Sequence, residues 1–267
     1  MLPWPAVNLR VLTLSLGLVV AALSRAAVAV PPLTPADRAG IEQALERAGL
    51  RLDAGTFDEA VARIDAALVR EPDDPALLYT RGFAHYAGGA FFLRATNREG
   101  LRRSLESALA CLERVRGEPW ESEAAALQSG ILGQLIGLRG GRAGMTLGPR
   151  SARLLEQAAR KAPASPRVIL FRGVARLNTP PLWGGDRKDA VKLVQQAVDR
   201  FAVPPAASDG PRWGRAEALA WLGVTRKQTG DVAGARAAWE EALALEPDYA
   251  RVKSVLLPSL GEKQKQP

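Results

Sequence analysis

The strongest constraint on this chain is a pattern of small and apolar residues that occurs near both ends of the sequence. The C-terminal copy consists of Leu222, Gly223, Gly230, Ala235, Trp239, Ala242 and Pro247. The N-terminal copy has the same spacing and consists of Ala48, Gly55, Ala60, Ile64, Ala67 and Pro72. Apolar residues three and four positions apart form one face of a helix, and glycine or proline ends a helix. Each copy therefore predicts two helices joined by a short turn.

Both copies resemble the tetratricopeptide repeat, a helix–turn–helix unit of about 34 residues. The resemblance implies an all-α, tetratricopeptide-type α-solenoid of about five helix–turn–helix units with no sheet, each packed on its neighbours. The units are expected near residues 41–74, 75–118, 119–164, 165–205 and 216–249. A closing helix should reach residue 257, so that residues 30–258 form one array, followed by a polar tail at 259–267.

Local signals predict where individual helices begin and end. Gly55 is expected to end the first helix, and Thr56 with Glu59 forms a predicted capping box for the second. Residues 90–97 are expected to be an insert, and the glycine-rich residues 139–149 a flexible loop between helices.

The first residues have the pattern of a secretory signal peptide. Arg10 precedes the apolar run Val11–Leu23, and small residues follow up to Ala29. Cleavage is expected after Ala29, which places the mature chain in the periplasm without a membrane span. The alternative is an uncleaved N-terminal anchor. Export with a single cysteine excludes an internal disulfide.

The sequence offers no constellation of catalytic or metal-binding residues. His85 is its single histidine and Cys111 its single cysteine, and both fall on predicted apolar helix faces. A zinc site or a nucleophile–histidine pair needs more such residues than the chain has. We therefore expect no enzymatic activity, no metal and no cofactor.

The formal net charge of +8 raises the question of a nucleic-acid partner. Basic residues alternate with acidic ones along most of the chain, which is typical of solvated helix faces. Export also argues against such a partner, so none is expected.

In tetratricopeptide arrays the first helix of each pair lines a groove that binds peptides. By that resemblance, three aromatic residues of the second unit and three residues of the fourth point into the groove. The candidates for partner binding are Tyr79, Phe83, Tyr86, Leu170, Val174 and Asn178, together with Trp183 in the loop that follows. The aromatic stripe could instead be core beneath the apolar residues 90–93.

The loop Pro180–Asp186 is partly explained as helix punctuation, because its prolines end one helix and Asp186 caps the next. Trp183 is not explained in this way. It either folds back onto the helices or stands at the groove rim beside Asn178. With its Pro-Pro, aromatic and Gly-Gly-Asp residues, this insert also gives the chain a weaker resemblance to the exported T-component proteins of TRAP-type solute transporters.

Two functions follow from these observations. The first is a non-catalytic scaffold or adaptor in the bacterial cell envelope that binds a protein or peptide in its groove. The alternative, implied by the T-component resemblance, is a transporter-associated protein that holds a small hydrophobic ligand or a solute-binding protein. An enclosed apolar cavity would favour the alternative.

Overall fold

A computed structural model describes residues 32–203 and 210–261. These residues form ten α-helices and no strand. The helices are α1 (Pro35–Arg51), α2 (Ala54–Arg70), α3 (Pro75–Arg94), α4 (Arg98–Leu112), α5 (Trp120–Arg139), α6 (Gly141–Lys161), α7 (Pro166–Asn178), α8 (Arg187–Ala202), α9 (Arg215–Gln228) and α10 (Val232–Leu245). A 3₁₀ turn at Pro181–Trp183 precedes α8, and a π-helical turn (Val252–Leu256) and a 3₁₀ turn (Pro258–Leu260) follow α10.

Consecutive helices pack as pairs, and the first helices of the pairs contact one another in chain order to form an inner layer. Glycines in this layer allow the close approach within a pair. A Cβ atom on Gly82 would lie 2.6 Å from Leu112 Cγ, and one on Gly173 would lie 2.5 Å from Val194 Cγ2. The predicted all-α solenoid is confirmed for the described residues.

The connection between α1 and α2 differs from the prediction. The left-handed residue that ends α1 is Leu52, with φ of 61°, and Gly55 lies inside α2. Asp53 caps α2 by accepting the backbone N–H and the hydroxyl of Thr56. The predicted capping box at Thr56 was therefore wrong, because Asp53 is an equally good capping residue and lies three positions earlier.

The predicted loop at residues 139–149 was also wrong. Gly140, with φ of 84°, alone separates α5 from α6, which is helical from Gly141 onward. A glycine costs a helix only about 1 kcal/mol relative to alanine, and packing of α6 along α5 outweighs that cost. Residues 90–93 likewise belong to the last turns of α3 rather than to an insert.

After α10 the predicted closing helix is present as a short segment that ends in a π-helical turn, Val252–Leu256. This C-terminal segment, residues 249–256, buries Tyr249, Val252 and Leu256 in the apolar core of the last two helix pairs. No helix within residues 32–203 and 210–261 is both long and apolar enough to cross a membrane.

Candidate functional site

The inner face of the solenoid is occupied by part of the chain itself. Residues 210–214, which we call the inner linker, lead into α9 and carry Trp213, whose side chain is 1% exposed. Its indole stacks on the ring of Phe83, with 4.3 Å between ring centroids. The indole Nε1 donates a hydrogen bond to the Tyr79 hydroxyl at 3.0 Å. The inner linker therefore fills the part of the groove that the aromatic stripe of α3 was expected to offer to a partner.

Two carboxylates of α1 hold the backbone of the inner linker. Glu42 accepts the backbone N–H of Arg212 at 2.8 Å, and Glu46, one turn later, accepts that of Gly214 at 2.8 Å. Gly214 has φ of 117°, a conformation that side chains rarely adopt. The two glutamates lie one turn apart on α1 and bind alternate backbone amide groups of the linker, so α1 holds the linker as a groove would hold a peptide.

A buried ion pair holds the linker from the opposite side. Arg167 in α7 and Glu123 in α5 are 8% and 7% exposed and join Nε to Oε2 at 2.7 Å. Ser165 also donates to Glu123 at 2.6 Å, and Arg167 donates to the carbonyl oxygen of Trp213 at 2.9 Å. Because every charged group here has a hydrogen-bonding partner, the pair tolerates burial and positions the linker backbone.

Beside Trp213, the inner face leaves a cavity of about 530 Å³. Helices α1, α3, α5 and α9, the inner linker and the C-terminal segment all contribute to its walls. Most of the wall area is apolar, from residues that include Leu50, Phe83, Ala87, Ala90, Leu93 and Val255.

Two carboxylates and a tyrosine are among the polar groups of the wall, which also include Arg94, Thr96, Gln134, Arg251 and Ser254. The Tyr86 hydroxyl donates to Glu217 Oε1 at 2.5 Å, and Trp221 Nε1 donates to the same oxygen at 3.4 Å. Burial raises the pKa of Glu46 to about 7, and the nearby charge of Glu217 adds to the effect. Burial also raises the pKa of Glu217. The cavity therefore contains two carboxyl groups that ionise less readily than glutamate in water.

The cavity exists because the two ends of the solenoid meet. Arg51 at the end of α1 forms an ion pair with Glu246 after α10, with 2.9 Å between Nη2 and Oε2. Tyr249 and Val255 of the C-terminal segment complete the wall opposite α3. The cavity is thus a feature of the whole array and of no single repeat.

The seven residues proposed from the sequence do not form one site in the structure. Phe83 and Tyr86 line the cavity, whereas Tyr79 is fully buried beneath Trp213. Leu170 is buried in the core of the last two helix pairs, and the partly buried Val174 packs against that core. Asn178 is exposed and donates to the carbonyl of Val174 in its own helix, and Trp183 is 59% exposed.

Trp213, Glu46 and Glu217 were not among the residues proposed from the sequence. The signal for Glu46 was its spacing of four residues from Glu42, which puts both carboxylates on one face of α1 beside the apolar Ile41 and Leu45. A tryptophan between Arg212 and Gly214, outside any repeat position, was the signal for the inner linker.

The loop Pro180–Asp186 projects its apolar residues outward. Leu182 is 91% and Trp183 is 59% exposed, so Trp183 does not fold back into the core. The loop is nevertheless ordered by its own hydrogen bonds, since Gly185 N–H donates to the Pro180 carbonyl at 3.1 Å and Asp186 N–H to the Arg176 carbonyl at 3.0 Å. Asp186 caps α8 as predicted.

Neither of the residues considered for chemistry is part of the cavity. His85 lies in a separate outer depression of about 510 Å³, where burial lowers the pKa of its imidazole to about 4. Cys111 is partly buried, and burial raises the pKa of its thiol. Within the described residues, no group of three His, Cys, Asp or Glu side chains could hold a metal ion.

Comparison with known proteins shows similarity in structure only. No family model matches the sequence, and no curated protein matches it. The solved structure of TTC0263, a thermophilic tetratricopeptide protein of Thermus thermophilus, has a TM-score of 0.50 and 20% identity over 82% of this chain and 98% of its own. The HusA haemophore of Porphyromonas gingivalis has a TM-score of 0.53 and 22% identity over 70% of this chain and 93% of its own. At this level of identity the likeness concerns the fold, and the fold of this chain is a helical-repeat solenoid of the tetratricopeptide type.

Proposed function

We propose that this chain is a non-catalytic binding protein of the bacterial cell envelope whose inner cavity holds a small, largely apolar ligand. The observation that carries the proposal is the cavity of about 530 Å³ formed where the two ends of the solenoid meet. Its volume and its mostly apolar wall, with a few convergent polar groups, are typical of small-molecule sites.

The inner linker favours a small ligand over a peptide in the groove. A peptide bound along α3 would need to displace Trp213 from the ring of Phe83 and from the Tyr79 hydroxyl. It would also need to replace the backbone hydrogen bonds from the linker to Glu42 and Glu46. A small ligand can enter the remaining cavity with all of these contacts in place.

Two further observations support the proposal. HusA, which has this fold, is a haemophore, so the fold is compatible with carrying a small ligand. The predicted signal peptide at residues 1–29 supports placement in the periplasm, where such a carrier would serve a transporter, as the T-component resemblance implies.

The test is to identify what copurifies with the protein and whether it occupies the cavity. Ala90→Phe places a ring in the cavity wall, and Ala66→Phe makes the same change at an exposed position of α2. The native chain and both variants would be purified from envelope extracts, and native and denatured masses would be compared. We expect a small molecule with the native chain and Ala66→Phe and its loss from Ala90→Phe. Equal ligand content in all three would place the ligand elsewhere, and a ligand-free native chain would contradict the proposal.

The exposed Leu182 and Trp183 favour a second candidate function, a scaffold that binds a protein partner through this loop. Exposed aromatic residues on an ordered loop are suited to anchor a partner. A pull-down from envelope extract would compare the native chain with Trp183→Ser and with Val69→Ser, a change at another exposed apolar residue. Loss of a specific protein from the Trp183→Ser sample alone would support the scaffold, whereas retention of every captured protein would exclude this loop as its anchor.

A further inference from the structure

The carboxylates of the cavity each use only one of their oxygens within the protein. Oε1 of Glu46 accepts the backbone N–H of Gly214, and Oε1 of Glu217 accepts the hydroxyl of Tyr86. No hydrogen bond from the described residues reaches Oε2 of either carboxylate. Both glutamates line the cavity, so each has a further oxygen available to a ligand there.

Neither carboxylate of this pair forms an ion pair with a cationic side chain of the described residues. Burial is the main cause that raises the pKa of Glu46, and the charges of Glu217 and Glu246 raise it further, while Arg167 opposes them weakly. A carboxylate that already accepts a backbone N–H would ordinarily have a lowered pKa. At Glu46, burial therefore outweighs the hydrogen bond from the Gly214 N–H.

The two arginines that line the cavity are not paired with these carboxylates. Arg94 and Arg251 are both exposed residues. The Arg251 guanidinium lies over the ring of Trp221, 5.3 Å from its centroid. The charge of Arg251 opposes the burial that raises the pKa of Glu217, but among the described residues neither arginine forms an ion pair or hydrogen bond with Glu46 or Glu217. A cation from the ligand can therefore contact both carboxylates.

Aromatic residues stand beside the carboxylates. Phe83, Tyr86 and Trp213 all line the cavity. Phe83 and Trp213 are almost fully buried against each other, so the partly buried Tyr86, held in place by its bond to Glu217, is the ring most accessible to a ligand. Aromatic faces attract ammonium groups by about 0.5–2 kcal/mol, with the larger values at desolvated sites. Acidic oxygens next to aromatic faces and aliphatic walls form a suitable environment for an organic cation.

From this arrangement we infer that the cavity selects ligands that carry a cationic nitrogen on an apolar body, with the nitrogen bound between Glu46 and Glu217. This inference rests on the proposed function, because it assigns a chemical class to the ligand of the same cavity. The ammonium donates hydrogen bonds to the free carboxylate oxygens, and the apolar body packs against Leu50, Ala90 and Leu93.

The test compares three probes of equal chain length, octylammonium, octanol and octanoate, by isothermal titration calorimetry at pH 8. At this pH an alkylamine is still protonated, and the carboxylates are ionised to a larger extent than at pH 7. The double variant Glu46→Gln/Glu217→Gln keeps oxygens that accept from Gly214 and Tyr86 but removes both charges. Glu240→Gln, at an exposed position of α10, is the matched control, and circular dichroism verifies that every variant is folded.

We expect octylammonium to bind the native chain and Glu240→Gln at least about tenfold more tightly than octanol, a difference of about 1.4 kcal/mol. The double variant should bind octylammonium and octanol with similar affinity. If the native chain binds all three probes alike, or prefers octanoate, the cation assignment is overturned while ligand binding in the cavity stands. If no probe binds, neither this inference nor the proposed function survives.

Discussion

Trp213 is the residue on which the inner face depends most. Its ring is fully enclosed between helices of the first three pairs and α7, and its indole N–H and carbonyl oxygen both have partners. We expect Trp213→Ala to lower the free energy of unfolding by about 3–5 kcal/mol, as for other buried aromatic residues. Chemical denaturation would measure this loss.

Trp183→Ala is the matched control, because it removes the same side chain from a position that is 59% exposed. Its effect should stay within about 0.5 kcal/mol. Equal destabilisation by the two changes would mean that the buried contacts of Trp213 do not stabilise the fold more than the exposed Trp183 does.

Glu42 makes stability depend on pH. Burial raises its pKa to about 7 in the folded state, against the lowering effect of the Arg212 N–H, Thr80 and Arg167. The ordinary pKa of glutamate applies when the chain is unfolded, so the folded state binds more protons between about pH 4.5 and 7. The contribution of Glu42 to stability is therefore largest below this window and falls as the pH rises through it.

Glu42→Gln should remove this pH-dependent contribution, because the glutamine amide does not titrate. Its side-chain oxygen can still accept the N–H of Arg212, so the hydrogen bond to the linker is kept. The stability of the variant relative to the native chain should increase from pH 4.5 to pH 7, as measured by urea denaturation at several pH values. The exposed Glu240→Gln variant should show no such trend. A difference that stays constant for Glu42→Gln would contradict the assignment.

At the level of residues, the sequence predicted positions that repeat and missed positions that do not. Gly223 was identified as part of the repeated pattern, and it faces the second helix of its pair, as do Gly82 and Gly173. Trp213 has no equivalent in another unit. Its contacts with Phe83 and Tyr79 join residues 130 or more positions apart in sequence, and such pairing leaves no periodic signal.

At the level of elements, the backbone path of the loop Pro180–Asp186 requires a glycine at position 185. A Cβ atom on Gly185 would lie 1.7 Å from the carbonyl oxygen of Thr179. We expect Gly185→Ala to shift the loop and to lower the melting temperature. Gly133→Ala in α5, where a Cβ would meet no atom within 4 Å, should instead raise stability by about 0.4–1 kcal/mol.

Thermal unfolding of the two glycine variants would provide this comparison. A melting temperature for Gly185→Ala at or above the native value would show that the loop can rearrange at no cost. In that case the outward position of Trp183 would not be imposed by the backbone of the loop.

The errors at the level of elements have a common physical cause. The sequence placed the helix pairs by their apolar faces, which tertiary packing requires. It misplaced the start of α6 because glycines there were taken as helix-breaking, although packing against α5 offsets their low propensity. The cap of α2 was misplaced because Asp53 and Thr56 are both suitable capping residues, and sequence alone does not rank them.

At the level of the whole molecule, the meeting of the two ends rests on apolar contacts more than on the ion pair. Arg51 is substantially exposed where it contacts Glu246, and such pairs contribute about 0–1 kcal/mol. Leu50 of α1 packs against the core of the last two pairs, in which Leu256 of the C-terminal segment is 8% exposed. We expect Leu256→Ala to lower the free energy of unfolding by about 2–5 kcal/mol, and Arg51→Ala to lower it by less than about 1 kcal/mol.

Chemical denaturation would measure the loss of unfolding free energy for Arg51→Ala and for Leu256→Ala. High salt should reduce only the loss caused by Arg51→Ala, because salt screens exposed charges. A loss for Arg51→Ala that equals the loss for Leu256→Ala would show that charge holds the ends together. The meeting of the ends could not be predicted from the sequence, because each repeat specifies only its neighbours and the curvature of the array follows from all of them together.

The attachment of the inner linker to α1 also determines the order in which the chain can complete its fold. Glu42 and Glu46 lie 170 and 168 residues before the amide groups they bind. A chain that has emerged from the ribosome only as far as α8 has Phe83 and Tyr79 in place, without the indole that covers them. Contacts over such long separations form late, and exposed apolar surface makes incomplete chains prone to aggregation. The vulnerable interval in the biogenesis of this protein therefore ends when residue 213 reaches α3.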